Sequence, residues 1–218
     1  MAGIGLYGVF YKKCIKVDGV CTGYEGAATL MGKAISANFE PNTPEDNPLY
    51  ANNSVAENDI SAGSGGTLST TLDRMTLNVM SDLYGTTVEE VTATVDGKEV
   101  TGQEIGYKGS EVSVPVGVAY IKLNQEDGVR SHEVVFYREV TFTRPADNSQ
   151  TMPRTIEWQT PELTGTVAGM QGDGSGKWFR RSRWESQAAA IAYIYKLFGE
   201  DATPAQVAET GGILNEES

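Results

Sequence analysis

"EVSVPVGVAYIKLNQEDGVRSHEVVFYREVTFT", Glu111 to Thr143, is the stretch that decides the fold. Two β-branched and aromatic runs, Glu111–Leu123 and Glu133–Thr143, flank a polar stretch containing Asn, Asp and Gly, the pattern of two strands and a connection. Working outward, further strands are predicted at Ile4–Val17, Gly26–Phe39, Ser61–Asp73, Val91–Val95, Thr155–Thr166 and Trp178–Trp184. "VTATVDGKEVTG" reads as a hairpin about Asp96-Gly97. Two helices interrupt the strands. The first covers Met75 to Tyr84, with Met75, Val79, Met80 and Leu83 at helical spacing and Gly85 as its stop. The second has Ser186 as N-cap, runs through "QAAAIAYIYKLF", and ends before Gly199; its predicted buried stripe is Ala189, Ala190, Tyr193, Ile194 and Leu197. Together these predict a mainly β fold, a β-sandwich or partly closed barrel with a flanking α-helix.

The 218 residues, 39% of them hydrophobic, suffice for a buried core. The expected organisation is one β domain over 1–199, carrying an arm at about 38–60, followed by an acidic tail over 200–218. No run approaches a membrane span, and "MAGIGLYGVFYKK" lacks a secretory pattern, so a cytoplasmic site of synthesis and no membrane insertion are expected. The formal net charge of −12 is concentrated: 35–59 and 200–218 each hold five acids and no base. One basic cluster, "KWFRRSR" from Lys177 to Arg183, opposes them. A duplex-binding protein needs a basic face to neutralise phosphates, and this composition argues against one.

The acidic stretch "ISANFEPNTPEDNPLYANNSVAEND", Ile35 to Asp59, holds three prolines and six asparagines. It is read as a long loop without secondary structure of its own, and such loops in compact domains serve a function or are disordered. Pro41, Pro44 and Pro48 stiffen it, which lowers the entropy lost on docking, while Leu49 and Tyr50 are apolar anchors in a polar arm.

Chemical signatures are few. Cys14 and Cys21 flank "IKVDGV", a hairpin with Asp18-Gly19 at its tip, and a reduced pair is expected. His132, the single histidine, has no pairing signature and reads as a surface or turn residue. "GMQGDGSGKWF", Gly169 to Phe179, fails as a phosphate loop: Gly172 lies too close to Gly176, Trp178 takes the hydroxyl position, and a strand follows. The acid pairs Glu89-Glu90, Glu45-Asp46 and Glu57 with Asp59 fall in polar turns or loops, where solvated carboxylates are the default. No catalytic residue, metal or cofactor is therefore assigned. As a strand, "KWFRRSR" places Phe179, Arg181 and Arg183 on one face and Trp178, Arg180 and Ser182 on the other. Lys177, Arg180, Arg181 and Arg183 are read as a surface for an acidic loop of a neighbouring subunit.

The order of segments resembles the major tail proteins, or tail tube subunits, of long-tailed bacteriophages. The resemblance is carried by "KAISANFEPN" leading to "LYANNSVAEN", then "GGTLSTTLDRMTLNVMSDLYG", "VPVGVAYIKL" with "YREVTFTRP", "TIEWQTPELTGTV" and "ESQAAAIAYIYKLFG", from Lys33 to Gly199. Asn52-Asn53 departs from the acid expected after the Tyr-Ala, and the chain ends soon after its last helix, without room for an immunoglobulin-like extra domain. The resemblance implies a β-sandwich or barrel with a flanking helix that forms hexameric rings stacked into a hollow tube in the virion tail. It implies as partners further copies of itself, the tape-measure protein, and tail terminator and baseplate proteins, with DNA passing through without sticking. No enzyme activity is implied.

Two other classes stay open on the residues alone. A lectin-like or adhesin module would share the β architecture but tend to carry an aromatic or Asp/Asn-rich cluster on loops, whereas here most aromatics fall in strands and helices. A hydrolase would need paired, environment-tuned carboxylates or a metal site. Within the tail reading, a non-contractile tube is preferred over the inner tube of a contractile tail or a phage-derived bacteriocin.

Overall fold

Every hairpin tip with a described turn is an Asp-Gly pair in left-handed conformation: Asp18-Gly19 (φ 52° and 82°), Asp96-Gly97 (50° and 71°) and Asp127-Gly128 (48° and 80°). Two consecutive positive φ values match the right-handed twist of the flanking strands, so these turns set the registers. The computed structural model describes residues 2–43, 46–51, 54–60, 64–146, 159–169, 177–203 and 206–207. In chain order they form β1 (Ala2–Val17), β2 (Val20–Gly32), β3 (Ala34–Pro41), β4 (Asp46–Ala51), β5 (Ser54–Ile60), β6 (Gly66–Leu72), α1 (Leu77–Tyr84), β7 (Val88–Val95), β8 (Lys98–Ile105), β9 (Val116–Glu126), β10 (Val129–Phe142), β11 (Glu162–Val167), β12 (Phe179–Trp184) and α2 (Gln187–Leu197).

The main sheet is antiparallel in the order β2-β1-β9-β10-β11-β6-β3, and β12 pairs with β10 off this path. Strand β10 is long enough to use one edge twice. His132 to Tyr137 pair with β12, and Val140 to Phe142 pair with β11, with a register shift between Tyr137 and Val140 on the β9 side. A bulge bends a strand and raises its twist. Here it lets the β11-β6-β3 part turn over the rest, giving a sandwich-like architecture whose sheet does not close.

Alternation along β9 and β10 builds two cores. Val118, Tyr120, Val135 and Tyr137 join Leu68, Leu72, Leu163, Phe142 and the α1 residues Val79, Leu83 and Tyr84. The intervening Ala119, Ile121, Val134 and Phe136 join Phe10 and the α2 residues Ala190, Ile191, Ile194, Tyr195 and Phe198. Both faces of these strands are thus covered, which is why Val116–Leu123 reads as an almost unbroken apolar run.

Thr76 caps α1 by accepting from the Val79 N–H, and Gly85 closes it at φ 66°. Ser186 caps α2 through the Ala189 N–H at 3.2 Å, and Gly199 follows at φ 77°. The buried stripe of α2 is rotated from the one predicted: Ile191, Tyr195 and Phe198 are buried, whereas Ala189, Tyr193 and Leu197 are half-buried. The larger side chains of the 191/194/195/198 face remove more apolar area from water, so they win the core. Tyr193 packs on Trp184 instead, with ring centroids 4.8 Å apart.

Two strand predictions need correction. Gly26–Phe39 is not one strand, because the chain turns at Lys33, whose N–H donates to Asp73 Oδ1 while its carbonyl accepts from the Asp73 N–H. Glu111–Val114 is not strand either; the ladder begins after Pro115, which has no N–H to offer it. Of Thr155–Thr166, β11 covers Glu162 onward, and residues 155–158 lie outside the described residues. Among the described residues no helix is long and apolar enough to cross a membrane.

Candidate assembly surfaces

The acidic stretch between β3 and β6 is not the irregular loop expected. It holds a two-stranded ribbon, β4 paired antiparallel with β5, in which Pro48 stands opposite Asn58, Leu49 opposite Glu57 and Tyr50 opposite Val55. Pro48 is tolerated because, among the described residues, neither strand pairs with anything else, so one side of each is an edge that needs no donor. Pro41 is the exposed last residue of β3, opposite Gly66, and Pro44 lies outside the described residues. The base of the ribbon is pinched: the Asn42 N–H donates to the Gly65 carbonyl at 3.1 Å, and its amide donates to the Ser64 carbonyl at 3.0 Å.

A second ribbon, β7 with β8, leaves the body after α1. Only its base residues Val88 and Ile105 are half-buried, and every residue from Glu89 to Val95 and from Lys98 to Glu104 is exposed. The pairing of Val91 with Gly102, Ala93 with Val100 and Val95 with Lys98 gathers Val91, Ala93, Val95 and Val100 on one face. The opposite face carries Glu90, Thr92, Thr94, Glu99, Thr101 and Gln103. At the base, the Thr86 hydroxyl donates to the Gly106 carbonyl, and the Tyr84 and Tyr107 rings meet edge-on at 6.2 Å. Glu89, Glu104 and Lys98 share the face of the valines, and an isolated two-stranded ribbon of this kind is marginal in water.

The basic cluster divides as alternation requires. Arg181 Nε and Glu133 Oε1 form an ion pair at 2.5 Å, and Arg183 reaches Glu126 at 3.5 Å, so both have acidic partners on β10 and β9. Arg180 points the other way and, with Lys12, Arg138, Lys177 and Lys196, lines a concavity of about 470 Å³ floored by Tyr24, Phe136 and Phe198. Lys12 is satisfied there: its ammonium pairs with Glu200 and donates to the Phe198 carbonyl at 3.1 Å. No described carboxylate pairs with Arg138, Lys177, Arg180 or Lys196. Of the four, the sequence singled out Lys177 and Arg180; Arg138 and Lys196 are brought beside them only by the tertiary fold.

Cys14 and Cys21 are buried free thiols that share one acceptor, the Arg138 carbonyl, at 3.6 and 3.8 Å. The Cys14 thiol beside it holds Cys21 down at about 7, and the same contact, with burial, pushes Cys14 up. His132 lies within β10 rather than at a turn, stacked on Tyr7 at 6.3 Å, and burial holds its pKa below the ordinary histidine value. Among the described residues its Nδ1 has no hydrogen-bond partner. Of the acid pairs, Glu89 and Glu90 sit on the exposed β7, Asp46 lies in β4, and Glu57 and Asp59 lie in β5; Glu45 lies outside the described residues, as do Gly172 and Gly176 of the glycine-rich stretch. No group of three or more His, Cys, Asp or Glu among the described residues has the spacing to hold a metal ion. Comparison with known proteins finds no family model and no curated protein that matches the chain.

Proposed function

We propose that this chain is the structural subunit of a phage tail tube, polymerising as stacked hexameric rings into a hollow conduit through which DNA passes into the host. The observation that carries this reading is the pair of β ribbons that leave the sandwich-like body and, among the described residues, pair with no other strand. A solitary domain gains nothing from such appendages, whereas a subunit with neighbours in its own ring and in the next can bury both. Head-to-tail contacts close a ring by rotation and repeat it by translation, and an unclosed sheet, an aggregation risk in a monomer, supplies edges for joining. The sheet here ends at β2 and β3. The net charge of −12 suits a conduit that phosphates must traverse without adhering, because like charges repel over about 10 Å at moderate salt. In this reading the wall of the lumen is net negative, the tape-measure protein fills it before ejection, and terminator and baseplate proteins cap its ends.

The pinched base of the β4–β5 ribbon allows a clean test. Replacing residues 43–63 by a two-residue turn should leave the body folded, with unchanged near-ultraviolet circular dichroism, but monomeric in sedimentation velocity at concentrations where the intact chain sediments as rings or tubes. Normal assembly by the shortened chain would remove the ribbon from its connecting role.

A further inference from the structure

The concavity beside the end of α2 and the β7–β8 ribbon carry opposite, uncompensated charge. Arg138, Lys177, Arg180 and Lys196 line one concavity of about 470 Å³ without a carboxylate partner among the described residues. The ribbon holds Glu89, Glu90, Asp96, Glu99 and Glu104 against a single base, Lys98. Glu89 stands directly opposite Glu104 across the ladder, and like charges so placed destabilise a strand pair until a cation lies between them.

We infer that the acidic β7–β8 ribbon of one copy docks in the Arg138/Lys177/Arg180/Lys196 concavity of the next copy. The inference rests on the tube-subunit reading and names one of its contacts. A copy does not serve its own concavity, because the two features belong to opposite sides of the sheet. The ribbon is rooted on α1, which packs on one core, and the concavity opens at the end of α2, which packs on the other. The contact is therefore heterologous, the kind that propagates. Eight residues of strand reach about 26 Å from the body, enough to span to a neighbour. The half-buried ring of Tyr24 in the concavity offers aromatic surface that the ribbon's Val91, Val95 and Val100 can cover.

The test is reciprocal charge reversal in the full chain, read by sedimentation velocity against protein concentration at low salt. R180E/K196E and, separately, E89K/E104K should each raise the concentration needed for half-assembly by at least about tenfold, since like charges facing across an interface are strongly unfavourable. The four changes combined in one chain should restore assembly, which also shows that the separate variants fold. Wild-type protein that stays monomeric at every concentration overturns the tube reading and this contact with it. Assembly of wild type with no change in either reversal variant, or no recovery in the combined chain, overturns the contact alone. So does binding of a labelled single-stranded oligonucleotide that R180E/K196E abolishes while assembly persists, since the concavity would then serve nucleic acid.

Discussion

Lys12→Met is expected to destabilise the folded chain by an amount toward the lower end of the about 3–5 kcal/mol that breaking a buried ion pair costs. Lys12 is 5% exposed, and its partner Glu200 keeps 23% of its side chain in contact with solvent, which is why the lower end applies. Three satisfactions fail together. The ammonium no longer pairs with Glu200, the Phe198 carbonyl at the end of α2 loses a donor, and the favourable placement of a cation at a helix C-terminus is lost. Glu200 also accepts from the Ala28 N–H at 3.2 Å, so its carboxylate remains tied to β2 without a counter-ion. For a chain of this size the loss corresponds to a fall in Tm of roughly 10 °C by calorimetry. Adding Glu200→Gln should recover part of the loss, because the stranded charge accounts for much of it; a double variant less stable than Lys12→Met would contradict this mechanism.

Phe198→Ala is expected to cost about 3–5 kcal/mol, the range for deleting a buried aromatic ring. Phe198 is 2% exposed and meets Tyr24 edge-on at 5.2 Å and Phe136 at 5.6 Å. Its ring also abuts Gly117, where an added Cβ would fall 2.9 Å from Phe198 Cε1 and 2.5 Å from Tyr24 Cε1. Gly117 has been left without a side chain to admit these rings, so the space cannot refill by a small shift and the cavity term persists. The end of α2 should loosen first, seen as earlier amide exchange at Ile194 and Tyr195 than at β9. A loss of under about 1 kcal/mol in denaturant titration would mean that the ring does not hold α2 to the sheet.

What the sequence disclosed follows the range of the interaction involved. The Asp-Gly turns, the Ser186 cap, the Gly85 and Gly199 stops and the apolar run of β9 are local signals, and each marks its element in the structure. The bend at Lys33 was hidden because its cause is Asp73, forty residues away. The β4–β5 ribbon is hidden because, among the described residues, it pairs only with itself, across breaker residues where strand propensity is weak. Likewise, the rotation of α2 depends on which side chains the sheet can accept, and helical spacing alone allowed two neighbouring stripes. For the candidate surfaces, the alternation of "KWFRRSR" separated Arg180 from Arg181 and Arg183 correctly in direction, yet the in-chain partners Glu133 and Glu126 lie on strands distant in sequence. Arg138 and Lys196 join Arg180 only through the pairing of β12 with β10 and the seat of α2.

Electron microscopy distinguishes a self-assembling subunit from a solitary domain. The purified 218-residue chain, concentrated and imaged in negative stain over time, should give sixfold rings that lengthen into hollow tubes of constant diameter. Compact particles of single-subunit size at every concentration and time, with one matching peak in size-exclusion chromatography, would contradict it.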